Sequence, residues 1–285
     1  MNEDLLSEVL RSVRLRGVLY FHVSGSRDWA AEAPPSREIA AAVMPGSDHV
    51  IEFHAVISGA CWGSVVGEAP VRLEAGDIIL FPQGDPHVIS SAPGMRAPPN
   101  PAGYFERKGQ RQPFILHLDA HEVHMGEPPS GPCATTLVCG FFGCDTRPFN
   151  PLITALPHVM HLRSSSAQDW TVQCMRQAVT ETLTTRPGST AVLERLSEML
   201  FIDAMRQYLG TLPEGSSGWL AGLRDRFVGP ALALMHAAPA QAWTVDELGR
   251  RVGLSRSAFH ARFANMIGQT PMQYLAHWRM QAGAA

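Results

Sequence analysis

The stretch WTVDELGRRVGLSRSAFHARFANMIGQTPMQYLAHWRM, residues 243–280, decides the fold of the C-terminal part of this chain. Its first apolar residues recur at helical spacing after Thr244, a residue type that caps helix N-termini. Gly253 allows a tight turn, and Ser255 caps a second helix in which two phenylalanines four residues apart share one face. A helix, a glycine turn and a capped second helix predict a helix-turn-helix.

The second helix carries polar and basic side chains on the face opposite its phenylalanines. These predicted DNA-contacting residues are Ser255, Arg256, Ser257, His260 and Arg262. Side chains of these types bond to base edges and phosphates when such a helix enters the major groove. From Val228 onward the chain has five arginines against Asp246 and Glu247, although its overall net charge is −3. A basic tail on an acidic body predicts double-stranded DNA as the partner of the tail.

The N-terminal half has the pattern of an all-β barrel or sandwich. Short runs rich in Val, Ile and Phe alternate there with Gly, Pro and Asp. In GDIILFPQGDPHVI, residues 76–89, we expect the turn from Pro82 to Gly84 to reverse the chain so that His87 begins the partner strand. The polar, Pro/Gly-rich segment 91–112 predicts a long loop, either a lid over the barrel mouth or a disordered segment, and its composition favours disorder.

Four residues of the predicted barrel are candidates for a sensor site. A period of two places Glu52 and His54 on one strand face, and Cys139 lies on another strand. Together, His54, His87 and Cys139 form a two-His, one-Cys ligand set that suits zinc. A thiolate at Cys139 would also be open to oxidation. The alternatives are an effector pocket in which the histidines donate hydrogen bonds, and buried histidines beside an inert thiol.

The middle of the chain has helical periodicity from Pro151 onward, first in residues 152–162 and then in two longer stretches. The longest stretch carries an apolar stripe that includes Leu193, Leu196, Leu200, Phe201, Met205 and Leu209. The stripe packs either on its own barrel or on a second copy of the chain. Residues 213–218, PEGSSG, have the composition of a linker. The predicted fold is α+β, with a sensor domain over 1–162, a helical linker and dimerisation region over 163–218, and a helix-turn-helix subdomain over 219–285.

Two motifs of the tail, A-F-x-x-x-F and G-x-T-P-x-x-Y-L-x-x-W-R, resemble the first helix-turn-helix subdomain of the AraC/XylS transcription regulators. The spacing Gly76-x5-Pro82-x-Gly84-x2-His87 resembles the second signature of the cupins, which are small β-barrels. The resemblance implies a cupin-type sensor barrel in front of a DNA-binding head.

The chain departs from these patterns at several positions. Of the first cupin signature only Glu52-x6-Gly59 fits, and Ser91 replaces the asparagine that usually ends the second. Ala261 stands where the AraC/XylS family often has arginine. The chain ends soon after WRM, where that family usually continues into a second helix-turn-helix.

These features predict a transcription regulator that binds DNA, responds to a small-molecule, metal or redox signal and forms a homodimer. The alternative is a metal-dependent cupin enzyme, a dioxygenase or isomerase, which the incomplete first signature disfavours; we expect no enzyme activity. The acidic N-terminus has no signal-peptide pattern, and no apolar run approaches the roughly 18 residues that span a bilayer. We therefore expect a cytoplasmic protein with no membrane partner.

Overall fold

The computed structural model describes residues 4–110, 113–120, 122–126, 133–164, 170–184, 186–213 and 215–284. It divides into two compact units. The barrel unit comprises Arg16–Cys144 and Pro157–Gln207, and the head unit comprises Met1–Leu15, Asp145–Leu156 and Tyr208–Ala285. Each unit is built from separate stretches of the chain. The three contiguous domains predicted from the sequence therefore stay a prediction.

The barrel unit holds all the strands found within the described residues. In chain order they are β1 (Arg16–Gly25), β2 (Ala30–Ala33), β3 (His49–Ser58), β4 (Ala60–Val65), β5 (Val71–Glu74), β6 (Ile78–Phe81), β7 (His87–Ser90), β8 (Phe114–Asp119), β9 (Glu122–Met125), β10 (Thr135–Cys144) and β11 (Met160–Leu162). They form a seven-stranded sheet in the order β11-β6-β3-β10-β1-β8-β9 and a four-stranded sheet in the order β2-β7-β4-β5. Among these described strands, all pairings are antiparallel except that of β1 with β8.

The two sheets share one hydrophobic core. Val56 and Leu137 from the larger sheet pack in the same cluster as Leu73 and Ile89 from the smaller one, and each is at most 3% exposed. Burial of apolar side chains from both sheets is the main force that holds such a barrel closed. The cupin-like barrel predicted from the sequence is confirmed.

The turn before His87 carries the chain from one sheet to the other. Gly84 has a φ of +71°, a left-handed conformation that favours glycine, and a Cβ there would lie 3.2 Å from the carbonyl oxygen of Val50. Because β6 belongs to the larger sheet and β7 to the smaller, the expectation that His87 begins the partner strand of β6 is wrong. This crossing places the histidine opposite the larger sheet.

The segment 91–112 contains a helix. α3 (Pro101–Glu106) begins after Asn100, whose side chain accepts a hydrogen bond of 3.0 Å from the amide of Gly103. The ring of Tyr104 contacts that of Phe21, with centroids 5.8 Å apart. Disorder is therefore the wrong interpretation for residues 91–110, because a cap and aromatic packing order them. Residues 111–112 lie outside the described part of the chain.

Three longer helices complete the barrel unit: α2 (Ser36–Val43), α5 (Trp170–Thr184) and α6 (Ser189–Thr211), the last ending in the head unit. The apolar stripe of α6 packs largely on its own chain, since Leu193, Leu200, Phe201 and Met205 are at most 5% exposed. The Phe201 ring lies 4.9 Å from that of Phe142.

The predicted helix over residues 152–162 is correct only at its start. α4 (Pro151–Ala155) ends early, and β11 follows as a strand in which Met160 pairs with Leu80 of β6. The apolar residues after α4 are thus drawn to the edge of the larger sheet, where tertiary pairing overrides helical periodicity.

The head unit is helical. It contains α1 (Leu5–Ser12), α4, α7 (Trp219–Arg224), α8 (Val228–Ala237), α9 (Val245–Arg251), α10 (Arg256–Ile267) and α11 (Pro271–Ala284). Thr244 caps α9 by accepting a 3.1 Å hydrogen bond from the Glu247 amide, and Ser255 caps α10 by accepting one of 3.3 Å from Ala258. The glycine turn between them is also present, with φ of +80° at Gly253. The predicted α+β fold with a C-terminal helix-turn-helix is confirmed.

No helix within the described residues is both long enough and apolar enough to cross a lipid bilayer.

Candidate functional site

A cavity of about 310 Å³, partly open to solvent, lies between the two sheets of the barrel unit. This volume is at the lower end of the range for small-molecule sites. Its lining is mainly apolar, with Phe21, Trp29 and Leu116 among the larger side chains. All four predicted sensor residues also line it: Glu52, His54, His87 and Cys139.

The two histidines meet across the cavity from opposite sheets. Nε2 of His54 on β3 lies 2.8 Å from Nε2 of His87 on β7. Nδ1 of His87 lies 2.9 Å from the carbonyl oxygen of Asp85, which can only accept a hydrogen bond. Nδ1 of His87 is therefore the donor, and in the neutral ring its Nε2 accepts from His54. The Phe81 ring stacks on His87 at 3.7 Å and fixes its plane.

Glu52 completes a buried cluster with these histidines. Its Oε1 lies 3.9 Å from Nε2 of His54, and its Oε2 lies 3.7 Å from Nε2 of His87. Glu52 is 2% exposed, and its Oε2 has no hydrogen-bond partner among the described residues. Such an atom carries an uncompensated desolvation cost.

Burial shifts the pKa of each member of the cluster toward its neutral form. It raises the pKa of Glu52 to about 8. Burial, assisted by the neighbouring His87, holds the pKa of His54 well below its usual value. Burial also lowers the pKa of His87 to about 4, although its hydrogen bond to Asp85 acts in the opposite direction. At neutral pH the cluster is thus a set of mostly uncharged donors and acceptors that face a cavity.

Cys139 lies beside this cluster and is not part of it. It pairs in register with His54 on the neighbouring strand and lines the same cavity. The donor atoms that all lie within 4.8 Å of one another belong to Glu52, His54 and His87. Burial raises the pKa of the Cys139 thiol well above its usual value. Because the thiolate is the reactive form, this environment works against the redox chemistry expected of Cys139.

The segment that contains α3 forms part of the cavity wall. Asn100, Tyr104 and Arg107 line the cavity together with Ala97 and Pro98. Burial raises the pKa of the Tyr104 hydroxyl well above its usual value, so it stays protonated and can donate a hydrogen bond. Sequence reasoning missed these side chains, although an aromatic and a basic residue within a Pro/Gly-rich loop were a usable signal.

The predicted DNA-contacting residues divide into side chains that are exposed without a partner and side chains that bond within the protein. Arg256, Ser257 and His260 are exposed on one face of α10, opposite Phe259 and Phe263, which are 0% exposed. Ser255 is exposed as well, but its hydroxyl caps the helix. A groove of DNA could thus reach the first three side chains without breaking the packing of the head unit.

Arg262 has a partner within the protein. Its Nε lies 3.1 Å and its Nη2 2.5 Å from carboxylate oxygens of Asp225, a bidentate pair, and its guanidinium lies 5.1 Å from the centre of the Phe227 ring. Burial alone would raise the pKa of Asp225, but hydrogen bonds from Arg262 and from the amides of Val228 and Phe227 outweigh it and hold that pKa at about 2. Arg262 therefore has a structural role in the head unit.

Other arginines of the head also differ in whether they have a partner within the protein. Arg251 pairs with Glu247, and Arg279 donates to the carbonyl oxygens of Pro239 and Gln241. Arg250 and Arg256 have no hydrogen-bond or ion-pair partner among the described residues, and both are exposed. Both arginines are therefore available to phosphates.

Comparisons with known proteins agree with this architecture. A family model described as Cupin matches residues 4–210. A putative AraC-like transcription regulator of Streptomyces lividans is 30% identical over 283 residues, which cover 99% of this chain and 84% of that protein. The HTH-type transcriptional regulator AlkR of Acinetobacter baylyi is 26% identical over 98% of this chain and 84% of its own length. ToxT from Vibrio cholerae aligns over 93% of this chain and 98% of its own, with 8% identity and a TM-score of 0.31, a likeness too low to add to the argument. The chain belongs to the AraC-like transcription regulators and has a cupin domain at its N-terminal side.

Proposed function

We propose that this protein controls transcription by binding DNA through α10 in response to a signal received in the barrel cavity. The observation that carries the proposal is the pairing of two features in one chain. One is a cavity in the barrel with a buried cluster of polar side chains, and the other is a capped helix-turn-helix whose second helix has an exposed polar face.

On the DNA side, we assign base contacts to Ser257 and His260 and a phosphate or base contact to Arg256. All three are exposed on α10, and their side-chain types bond to base edges and phosphates. Ser255 and Arg262 contribute indirectly, because the hydroxyl of Ser255 caps the helix and the guanidinium of Arg262 ties it to Asp225. Arg250 adds a second free guanidinium for the phosphate backbone.

On the sensor side, we assign the signal to a small molecule or a metal held in the barrel cavity. The mainly apolar wall suits the body of a small organic effector, and Glu52, His54 and His87 offer hydrogen bonds at one place in it. Cys139 contributes to the wall as a protonated thiol.

Filling the cavity should abolish ligand binding. Leu116 lines the cavity and Ile115, its neighbour on β8, does not. Successive residues of a strand point to opposite faces, so the two positions form a matched pair. We expect Leu116→Trp to remove the fluorescence increase of N-phenyl-1-naphthylamine, a neutral apolar probe, and Ile115→Trp to retain it. Equal binding of the probe by both variants and by the unaltered protein would contradict the assignment of the cavity as the sensor site.

We further propose that a second copy of the chain docks on α6. Val192, Leu196 and Met199 share one face of this helix at helical spacing, and Val192 and Met199 are 39% and 44% exposed. Two copies would present two recognition helices to DNA, and the gain in effective concentration would raise affinity. Leu200, with 2% exposure, belongs to the interior and is unsuited to an interface test.

The dimer proposal predicts that Val192→Asp with Met199→Asp yields monomers, because two charges would be buried at the contact without partners. Sedimentation equilibrium of the full chain at tens of micromolar checks this. As a control, Leu183→Asp changes an apolar residue of α5 that is 58% exposed and should leave the dimer intact. A monomeric unaltered protein at that concentration would refute the dimer.

A cupin enzyme is the alternative function. No reaction is needed to explain the cavity, whereas an enzyme would have no use for a capped helix-turn-helix with two unpaired arginines. We therefore propose a regulator without catalytic activity that acts on DNA in the cytoplasm.

A further inference from the structure

We propose that a second pocket, on the outer face of the smaller sheet, binds a small organic cation of the alkylammonium class. This outer pocket has a volume of about 270 Å³ and lies within the barrel unit. It is separate from the barrel cavity, because no described residue lines both. The inference therefore goes beyond the proposed function and does not depend on it.

The floor of the outer pocket is formed by β4 and β7. Trp62 and Ser64 of β4 pair in register with Ser90 and Val88 of β7, and all four line the pocket. They face away from the core, since successive residues of a strand alternate and the core cluster contains their strand neighbours Cys61, Val65 and Ile89. Val88 and Ser90 are nevertheless buried. The pocket is thus a depression with walls and not a flat sheet surface.

Two loops form these walls. They contribute the lining residues Gly67, Glu68 and Pro70 between β4 and β5, and Gly94, Met95 and Arg96 after β7. The second loop is held in place at two points. Arg96 donates hydrogen bonds of 2.6 and 2.8 Å to the carboxylate of Glu32, and the hydroxyl of Ser91 accepts one of 3.1 Å from the amide of Trp29. A pocket whose walls are already fixed costs a ligand less ordering entropy.

The charges around the outer pocket favour a cation. Three basic side chains of this region each pair with a carboxylate: Arg96 with Glu32, Arg72 with Glu74, and His158 with Asp85. Glu68 is exposed on the pocket wall, and its carboxylate has no hydrogen bond or ion pair among the described residues. One negative charge is therefore left over at the pocket, available to a positively charged ligand.

Trp62 supplies the surface on which such a cation would rest. The face of an indole ring attracts cations more strongly than that of any other side chain. The hydroxyl of Ser64 offers a hydrogen-bond acceptor beside the ring, and Val88 offers an apolar contact. Together with Glu68, these groups suit an ammonium ion on a short apolar body. An anion would be repelled by both the ring face and the carboxylate.

The test compares choline with 3,3-dimethyl-1-butanol, a neutral molecule of nearly the same shape, by saturation-transfer NMR with the full chain. We expect choline to bind with a Kd of roughly 1–10 mM and the neutral molecule to bind at least about fivefold more weakly. Trp62→Leu and Glu68→Gln should each weaken choline binding by about fivefold or more.

The matched controls are Trp170→Leu and Glu38→Gln. They remove an exposed tryptophan of α5 and an exposed glutamate of α2, neither of which lines the pocket, and should leave the Kd for choline unchanged. Leu116→Trp, which fills the barrel cavity, should also leave it unchanged, because Leu116 lies outside the outer pocket. Circular dichroism establishes that each variant is folded.

Several results would overturn the inference. They are no saturation by choline at tens of millimolar, equal binding of the neutral molecule, and a Kd for choline that Trp62→Leu or Glu68→Gln leaves unchanged. Loss of choline binding in Leu116→Trp would place the ligand in the barrel cavity and would also overturn it. Sequence-specific DNA binding by a protein that does not bind choline would leave the proposed function intact, so the two failures can be told apart.

Discussion

Replacing the exposed face of α10 should weaken sequence-specific DNA binding strongly. The variant is Arg256→Ala, Ser257→Ala and His260→Ala together, and these side chains project from the helix while the phenylalanines behind them stay packed. Each base contact contributes about 1–3 kcal/mol, so we expect a loss of at least about 2 kcal/mol, or roughly 30-fold in affinity. Fluorescence anisotropy with labelled DNA from upstream of the protein's own gene measures this change.

The single variants should separate the roles of these residues. Arg256→Ala should weaken binding to all sequences and lower the slope of affinity against salt by about one. Ser257→Ala and His260→Ala should change which bases are preferred. As a control for charge, Arg195→Ala removes a guanidinium that pairs with Glu198 on α6 and should leave DNA affinity unchanged. Unchanged affinity in the triple variant would refute the assignment of α10 as the recognition helix.

Removing one core ring from the head unit should destabilise that unit strongly. Phe263 is 0% exposed and contacts the rings of Phe259 and Tyr274 at 5.7 and 5.8 Å. Phe263→Ala leaves a cavity at this position and should cost about 3–5 kcal/mol. For a unit of this size that corresponds to a fall in the head's melting temperature on the order of 15–30 °C. Differential scanning calorimetry of the full chain measures the transition.

The effect of Phe263→Ala should be confined to the head unit. We expect DNA binding to disappear while the probe N-phenyl-1-naphthylamine still binds in the barrel cavity. Phe105→Ala is the matched control, because Phe105 is 45% exposed and its removal should leave both transitions nearly unchanged. A melting temperature of the head that shifts no more in Phe263→Ala than in Phe105→Ala would contradict the packing described for α10.

The helix-turn-helix could be predicted in detail because its signals are local. Capping by Thr244 and Ser255 and the turn at Gly253 depend on residues that are near neighbours in the chain. The sequence did not decide whether the apolar stripe of α6 packs on its own barrel or on a second copy of the chain. Periodicity identifies an apolar face and does not say what covers it.

The sensor cluster was predicted in part, because its geometry depends on non-local pairing. The sequence placed Glu52 and His54 on one strand face but could not say that the turn before His87 crosses between sheets. Cys139 was assigned to the ligand set although Glu52 is the residue that meets both histidines. The side chains that α3 contributes to the cavity wall were missed, since Tyr104 is ordered by contacts with strands that are distant in sequence.

The central claim is that this chain is a sequence-specific DNA-binding regulator, and a competition titration tests it most directly. Labelled DNA from upstream of its own gene is bound by the full-length protein and then displaced either by the same unlabelled DNA or by shuffled DNA of equal length and composition. We predict that the shuffled DNA competes at least about a thousand times more weakly, the lower limit for specific over non-specific binding, and that affinity falls as salt rises. Equal competition by the two DNAs would contradict the account.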